Sequence, residues 1–186
     1  MQTMTTKAKT WSSTILMKIK NLILLIYFDL AWLASTWLVL NGKSLLTFAL
    51  AAPALFVFSK TFSKKVLLIS LQFALAGLLF DIFTYRLDFI DFFPFDTQSH
   101  FPLWMVGIWL LFLTVLPSLA LMLKMNLFWS FVFGFIGGPM SYIIAQNIGV
   151  LKFSSNFSIA LYALFWGLYL VLFSDRIKKE QPNENT

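Results

Sequence analysis

The stretch LFWSFVFGFIGGPMSYIIAQN, residues 127–147, decides the fold of this chain. It contains no charged residue. A helix of about 20 residues, with a rise of about 1.5 Å per residue, crosses the roughly 30 Å of hydrocarbon in a bilayer. The stretch therefore predicts a transmembrane helix.

Small residues interrupt the middle of this predicted helix. Gly134 and Gly138 form a GxxxG pair, and Gly137 and Ser141 add further positions without bulk. Small residues at helical spacing allow a neighbouring backbone to approach closely. Pro139 removes one backbone donor and frees carbonyl groups that must find partners inside the protein. The pattern predicts that these five residues pack against other helices and that their helix lies at the centre of a bundle.

The composition of the whole chain extends this conclusion. Of 186 residues, 59% are hydrophobic and 12% are charged, whereas soluble domains are about 45–50% apolar and about 25% charged. The net charge of +6 comes from basic residues that lie between apolar runs, which is typical of membrane topology and excludes a nucleic-acid partner. The chain has no cysteine and its one histidine is His100, so we expect no metal and no cofactor.

The predicted fold class is all-α, a polytopic transmembrane helical bundle of about six spans. The predicted spans are residues 21–40, 44–59, 66–85, 101–123, 127–147 and 157–173. Residues 1–20 and 174–186 are predicted to be tails, the second of them disordered, on either side of one transmembrane domain, residues 21–173. The span at 44–59 is the shortest and contains Pro53, which leaves open whether it crosses fully.

Basic residues are distributed unequally between the two sets of loops. One set, formed by the N-terminal segment, the second turn, the fourth turn and the C-terminal tail, holds 11 of the 14 Lys and Arg, and the other set holds 3. Cytoplasmic loops carry the excess of Lys and Arg. This asymmetry predicts that both termini are cytoplasmic and that the acidic, aromatic loop at residues 86–100 lies outside.

Several short motifs resemble the DUF2878 family of small bacterial multi-spanning membrane proteins. They are Pro102-Leu103-Trp104, Trp109-Leu-Leu-Phe112, the segment GGPMSY at residues 137–142, FDLAW at residues 28–32 and LLFD at residues 78–81. The likeness covers about residues 21–173, although the family's first helix is expected to carry Gln where this chain has Asp29. The resemblance implies a multi-pass protein of the bacterial inner membrane. It supplies no reaction, and an association of relatives with fatty-acid-modifying enzymes favours lipids only slightly.

Two acidic residues fall inside predicted spans, where a central charge is unfavourable by about 2.5–3.5 kcal/mol on insertion scales. Asp29 is close to mid-bilayer, and Asp81 is nearer the outer surface, at the depth of Tyr142 and Asn147. Together with the broken fifth helix, they predict an outward-facing polar cavity. Its expected residues are Asp29, Asp81, Tyr142 and Asn147, with Trp32 and Trp104 closing it. The alternative is that Asp29 is protonated or bonded to a neighbouring helix and that Asp81 caps a span near water.

The loop at residues 86–100 offers a second arrangement of polar groups. Asp88, Asp91, Asp96 and His100 could bind a hard divalent cation through oxygen atoms. The spacing matches no fixed metal-binding loop, and phenylalanines separate the acids. We therefore interpret the segment as an amphipathic cover of the outer membrane interface and predict no metal site.

Three classes of function remain open. A helper or assembly subunit in membrane-lipid metabolism requires a close-packed bundle with a groove that faces lipid. A small proton-coupled transporter or permease would use Asp29 and the broken helix. A membrane-embedded lipid-modifying enzyme would use Asp29 and Asp81 as its acid–base pair. The expected partners are the lipid bilayer, a lipid or small hydrophobic ligand, and a membrane-protein partner in the case of a helper.

Overall fold

The computed structural model describes residues 2–93, 101–123 and 126–180, with side chains described from residue 19 onwards. Six helices account for most of these ranges. They are α1 (Gln2–Leu40), α2 (Leu46–Thr61), α3 (Lys64–Arg86), α4 (Leu103–Met122), α5 (Leu127–Ile148) and α6 (Asn156–Glu180). Two short strands, β1 (Ile90–Phe92) and β2 (Leu151–Phe153), pair with each other.

The prediction of an all-α helical bundle of transmembrane character is confirmed. Five of the helices are long and apolar enough to cross a membrane, namely α3, α4, α5, α6 and the part of α1 at Ile19–Leu40. Helix α2 has 16 residues and contains Pro53, so it covers about 24 Å at the helical rise of about 1.5 Å per residue. Its complete crossing of the bilayer stays a prediction.

Helix α4, not α5, is the central helix of the bundle. In the most apolar stretch of each helix, 67% of the α4 residues are buried but only 22% of the α5 residues. Helix α4 packs against α1, α2, α3 and α6, whereas α5 packs mainly against α6. The expectation that residues 127–147 lie at the centre is therefore wrong. The small residues of α5 provide one close interface, and its remaining surface faces the membrane and a cleft.

The close interface of α5 is formed by two of the predicted packing residues. Gly134 lies against the backbone of Trp166 and Gly167 on α6, and Gly138 lies against the Trp166 side chain, so a Cβ atom at either glycine would collide with α6. Gly137 differs, because a Cβ there would meet only the ring of Phe133 at an ordinary 3.6 Å. Helix α5 therefore has a glycine face against α6 and a separate glycine that leaves space.

The remaining two packing candidates lie on the same helix close to this interface. Pro139 is buried. Ser141 is partly buried, and its hydroxyl donates a 2.7 Å hydrogen bond to the Gly138 carbonyl one turn earlier. The hydroxyl group thus has a partner within its own helix, which is how serine is accommodated in hydrocarbon.

The first and last helices are longer than the predicted spans. Helix α1 begins at Gln2, inside the segment predicted as an N-terminal tail. Helix α6 continues past Phe173 to Glu180, inside the segment predicted to be disordered. In this extension Lys179 donates to Asp175 at 2.6 Å, and Glu180 lies 3.5 Å from Lys65 at the start of α3. The last predicted residues, 181–186, lie outside the described part of the chain.

A two-stranded antiparallel sheet covers one end of the bundle. Strand β1 follows α3, β2 follows α5, and Asp91 pairs with Lys152 in the register. Ile90, Phe92 and Leu151 are each at most 3% exposed. Trp104, at the start of α4, donates to the Phe93 carbonyl at 3.0 Å. The sheet and Trp104 together close this end of the helices.

Candidate functional site

The Asp81 side chain is sealed inside the protein. It is 0% exposed, and it accepts hydrogen bonds from three donors on three different helices. Trp109 on α4 donates its indole N–H to Oδ2 at 2.7 Å. Tyr142 on α5 donates its hydroxyl to the carboxyl group at 3.0 Å, and Tyr162 on α6 donates to Oδ1 at 2.9 Å. We call Asp81 and these three donors the Asp81 core.

The packing around the Asp81 core explains how the donors are positioned. Gly77, one turn before Asp81 on α3, has no side chain, and the Trp109 ring occupies the space where a Cβ atom would lie. Trp109 also stacks on Trp166, with ring centroids 5.6 Å apart and planes inclined by 4°. The Tyr162 hydroxyl lies 2.8 Å from Thr84 Oγ1. The Asp81 core therefore joins α3 to α4, α5 and α6. Two of its donors have a second contact that fixes their position, Trp109 with Trp166 and Tyr162 with Thr84.

A cleft of about 540 Å³ lies between α1, α4 and α5, with α6 behind it. Most of its wall is apolar, and its polar lining residues include Asp29, Thr36, Ser141 and Tyr142. No described basic side chain lines it. The wall is therefore that of a hydrophobic binding site with few polar groups, which is typical of small-molecule sites.

The exposed rim of the cleft lies on the sides of α1 and α5. Leu22 and Ile26 on α1 are 56% and 52% exposed, and Met140 and Ile144 on α5 are 48% and 43% exposed. At the end near the sheet, the lining residues Trp104, Met105, Val150 and Leu151 are all buried. The cleft thus opens sideways between two helices. This opening differs from the predicted polar cavity that faces outward.

Asp29 lies in this cleft without a partner. It is exposed, and the described residues provide no hydrogen bond or ion pair to its carboxyl group. Phe28, the residue before it, is in ring contact with Phe112 on α4, with centroids 5.6 Å apart. Asp29 lies about halfway along Ile19–Leu40, the part of α1 that is long and apolar enough to cross a membrane.

Four of the six predicted site residues line the cleft, and the other two do not. Asp29, Trp32, Trp104 and Tyr142 line the cleft. Asp81 does not line it but lies behind the wall, because its partners Trp109 and Tyr142 are themselves lining residues. Asn147 is exposed near the end of α5 and does not line the cleft. The predicted proximity of Asp81 and Tyr142 is present, whereas the predicted shared cavity for the two acids is not.

A match to a protein-family model covers both the cleft and the Asp81 core. A family model described as a protein of unknown function (DUF2878) matches residues 21–172. The chain belongs to the DUF2878 family. The matched region includes Asp29, the Asp81 core and every residue that lines the cleft. No match was found among curated proteins or among solved structures.

The sequence does not predict the roles of three side chains in this DUF2878 protein. Sequence alone does not assign Trp109 and Tyr162 to Asp81, although a buried indole N–H or tyrosine hydroxyl normally requires a partner. Trp166 lines the cleft, is 6% exposed, and has an indole N–H without a hydrogen-bond partner among the described residues. A polar group left unpaired in a buried wall is rare in folded proteins.

The described part of the DUF2878 chain contains no cluster of three or more potential metal ligands. In the loop that was considered for a cation, Asp91 Oδ1 accepts a 2.9 Å hydrogen bond from the backbone N–H of Phe92, and Asp88 adopts a positive φ of 57°. Asp96 and His100 lie outside the described residues. The two described acids therefore have local backbone roles at the start of the sheet.

Proposed function

We propose that this protein binds one hydrophobic or amphipathic molecule in the cleft between α1 and α5, and that it serves as a helper or assembly subunit in membrane-lipid metabolism. The cleft itself is the observation that carries the proposal. Its volume of about 540 Å³ falls within the roughly 300–1,000 Å³ of typical ligand pockets. Its rim consists of exposed aliphatic residues that would face hydrocarbon, so a ligand would enter from the bilayer.

The unpaired carboxyl group of Asp29 supports a ligand with a polar group over simple filling of the cleft by lipid chains. This carboxyl group has no partner among the described residues. Unsatisfied polar groups inside a membrane are unfavourable. A bound molecule with a polar group would supply the missing partner, whereas an unsubstituted hydrocarbon chain would not.

Proton-coupled transport is the second candidate, and Asp29 favours it. Carboxyl groups inside membrane spans mark proton relays in pumps and transporters. An enzyme that uses Asp29 and Asp81 together is less well supported, because the Asp81 carboxyl group is enclosed by three donors. Proton-driven uptake of a hydrophobic ligand into proteoliposomes that disappears in Asp29→Asn would favour transport over a helper role.

We also propose that the protein lies in the bacterial inner membrane with both termini in the cytoplasm. The excess of basic residues, 11 against 3, supports this orientation. The ion pair between Lys65 and Glu180 supports it as well, because it brings a basic turn and the end of α6 to the same end of the bundle. Reporter fusions after Lys65 and after Glu180 should give cytoplasmic signals, and a fusion at Lys152 should not. A cytoplasmic signal at Lys152 would contradict the orientation.

The binding proposal is tested by filling the cleft. Gly137 lines the cleft and has room for a side chain, so Gly137→Phe should place a ring in the cavity while the bundle stays folded. The protein would be purified in a mild detergent and its copurified lipids identified by native mass spectrometry. We expect a defined molecule with the wild type and with the control Gly137→Ala, and its loss in Gly137→Phe. Equal retention in a folded Gly137→Phe variant would contradict the proposal.

A further inference from the structure

The charges in the cleft specify the kind of ligand. Asp29 is the one acidic residue among the described residues that line it, and no described lysine, arginine or histidine lines it. A ligand with a carboxylate or phosphate group would bring a second negative charge into a low-dielectric site with no cation to pair it. A ligand with an ammonium group would instead supply the partner that Asp29 lacks.

The aromatic residues that line the cleft also favour a positively charged ligand. Phe28, next to Asp29, contacts Phe112 at 5.6 Å. Phe112 in turn contacts Trp166 at 5.1 Å and Trp109 at 5.6 Å between ring centroids. These four rings form a continuous aromatic strip from α1 across α4 to α6. Ring faces attract cations, and the attraction increases when water is excluded.

The apolar residues around Asp29 indicate that the ammonium group is attached to an apolar chain. Around Asp29, the lining residues of α1 include Leu22, Leu25 and Ile26, and those of α4 include Val115 and Leu119. An aliphatic chain can pack along these side chains while its ammonium group contacts Asp29. A phospholipid with an amine headgroup fits less well, because its phosphate group would have no described cation to pair with.

From these contacts we infer that the cleft takes a lipophilic monocation, an amphiphile with one ammonium group and one aliphatic chain. The inference rests on the proposed function, since it specifies the ligand of the same cleft. Asp29 would pair with the ammonium group, and the aromatic strip would enclose it. Selection would operate against anionic and zwitterionic lipids, which are abundant in the surrounding bilayer.

The test compares three amphiphiles that share a 12-carbon chain with the same photoactivatable diazirine and differ only at the polar end, which is an amine, an alcohol or a carboxylate. The purified full-length protein is placed in nanodiscs of zwitterionic lipid. Competition between the probes gives relative affinities, and mass spectrometry locates the crosslinks. We expect the amine to bind at least about tenfold more tightly than the carboxylate, with crosslinks on cleft residues. Phosphatidylethanolamine is added as a competitor and is expected to displace the amine poorly.

Two substitutions at one position separate charge from shape. Asp29→Asn keeps the size of the side chain and removes the charge, so the preference for the amine over the alcohol and the carboxylate should fall to about parity. Asp29→Glu keeps the charge and should keep the preference, which also provides a folded reference. Since Asp29 has no partner among the described residues, both variants are expected to fold.

The outcomes distinguish this inference from the proposed function. If the carboxylate binds as tightly as the amine, if phosphatidylethanolamine displaces the amine as well as the amine displaces itself, or if Asp29→Asn retains the preference, the inference is overturned while the cleft remains a binding site. If none of the probes crosslinks to the cleft in a manner that Gly137→Phe abolishes, the proposed function fails and the inference fails with it. A preference for the amine that requires a carboxylate at position 29 supports both.

Discussion

The Asp81 core and the Asp29 cleft contain the same acidic group in opposite surroundings. Asp81 is 0% exposed and is bonded by donors from α4, α5 and α6. Asp29 is exposed in the cleft and has no partner among the described residues. The two sites are adjacent, because Trp109 and Tyr142 line the cleft and also donate hydrogen bonds to Asp81. The comparison shows that an acidic residue in a membrane helix stabilises the fold where protein groups donate hydrogen bonds to it. Where no protein group does so, its carboxyl group remains available to a ligand.

The largest effect is expected from removing the acceptor of the Asp81 core. Asp81→Leu would leave the donors of Trp109, Tyr142 and Tyr162 without their acceptor. Each buried donor without a partner is unfavourable by about 1–3 kcal/mol, so the free energy of unfolding should fall by several kcal/mol in total. Unfolding in mixed micelles would measure it. Asp29→Leu is the matched control and should unfold like the wild type. An equal loss in both variants would remove the distinction between the two acids.

A smaller effect is expected at the glycine interface that positions the shared wall. Gly138→Leu would push the Trp166 ring away from α5, and overpacking of this kind destabilises proteins by about 1–3 kcal/mol. Gly137→Leu is the control on the same helix, because its side chain would enter the cleft. We expect a lower thermal midpoint in detergent for the first variant and an unchanged midpoint for the second. Normal stability of Gly138→Leu would mean that this face of α5 contacts lipid.

Removing one donor should have a still smaller effect. Tyr162→Phe leaves Asp81 with two donors, Trp109 and Tyr142, and should reduce the free energy of unfolding by about 1 kcal/mol. Tyr169→Phe is the control, since the Tyr169 hydroxyl is buried without a hydrogen-bond partner among the described residues. Removing that group should leave stability unchanged or raise it. The same unfolding assay would compare the two, and a greater loss in Tyr169→Phe would contradict the assigned hydrogen bonds.

The smallest effect on stability is expected at Asp29. Asp29→Asn removes a charge and breaks no hydrogen bond within the described residues, so the free energy of unfolding should change by less than about 0.5 kcal/mol. The same variant should lose the discrimination between cationic and anionic amphiphiles. A large loss of stability would show that Asp29 has a structural partner and that its cleft is not a free site.

The sequence predicts the bundle well because its signal is composition and length, which do not depend on tertiary contacts. The contact between Asp81 and Tyr142 follows from their similar depth in two spans. The position of α5 does not follow, because Gly134, Gly137 and Gly138 have the same small size but face different surroundings. Gly134 and Gly138 meet α6, whereas Gly137 does not; Gly137 and Gly138 both line the cleft.

Long-range contacts account for most of what the sequence does not predict. Trp109 and Tyr162 reach Asp81 from positions 28 and 81 residues away, and periodicity contains no information on such pairs. The strands β1 and β2 have three residues each, which is too short for an alternating pattern to stand out. Their pairing depends on the bundle, which brings the ends of α3 and α5 together.

The contrast between an open cleft and a sealed core is tested most directly by the reactivity of single cysteines, since the chain has none of its own. Ser141→Cys reports on the cleft wall, and Ser70→Cys reports on a fully buried site on α3 whose hydroxyl has no hydrogen bond to lose within the described residues. Asp29→Cys and Asp81→Cys form the second pair. Because a carboxyl group without a partner is unfavourable in hydrocarbon, we expect water in the ligand-free cleft. With N-ethylmaleimide in native membranes, we therefore predict labelling at positions 29 and 141, slowed by dodecylamine, and labelling at 70 and 81 only after denaturation. In variants that remain folded, equal labelling at all four positions, or complete protection at 29 and 141, would contradict the account.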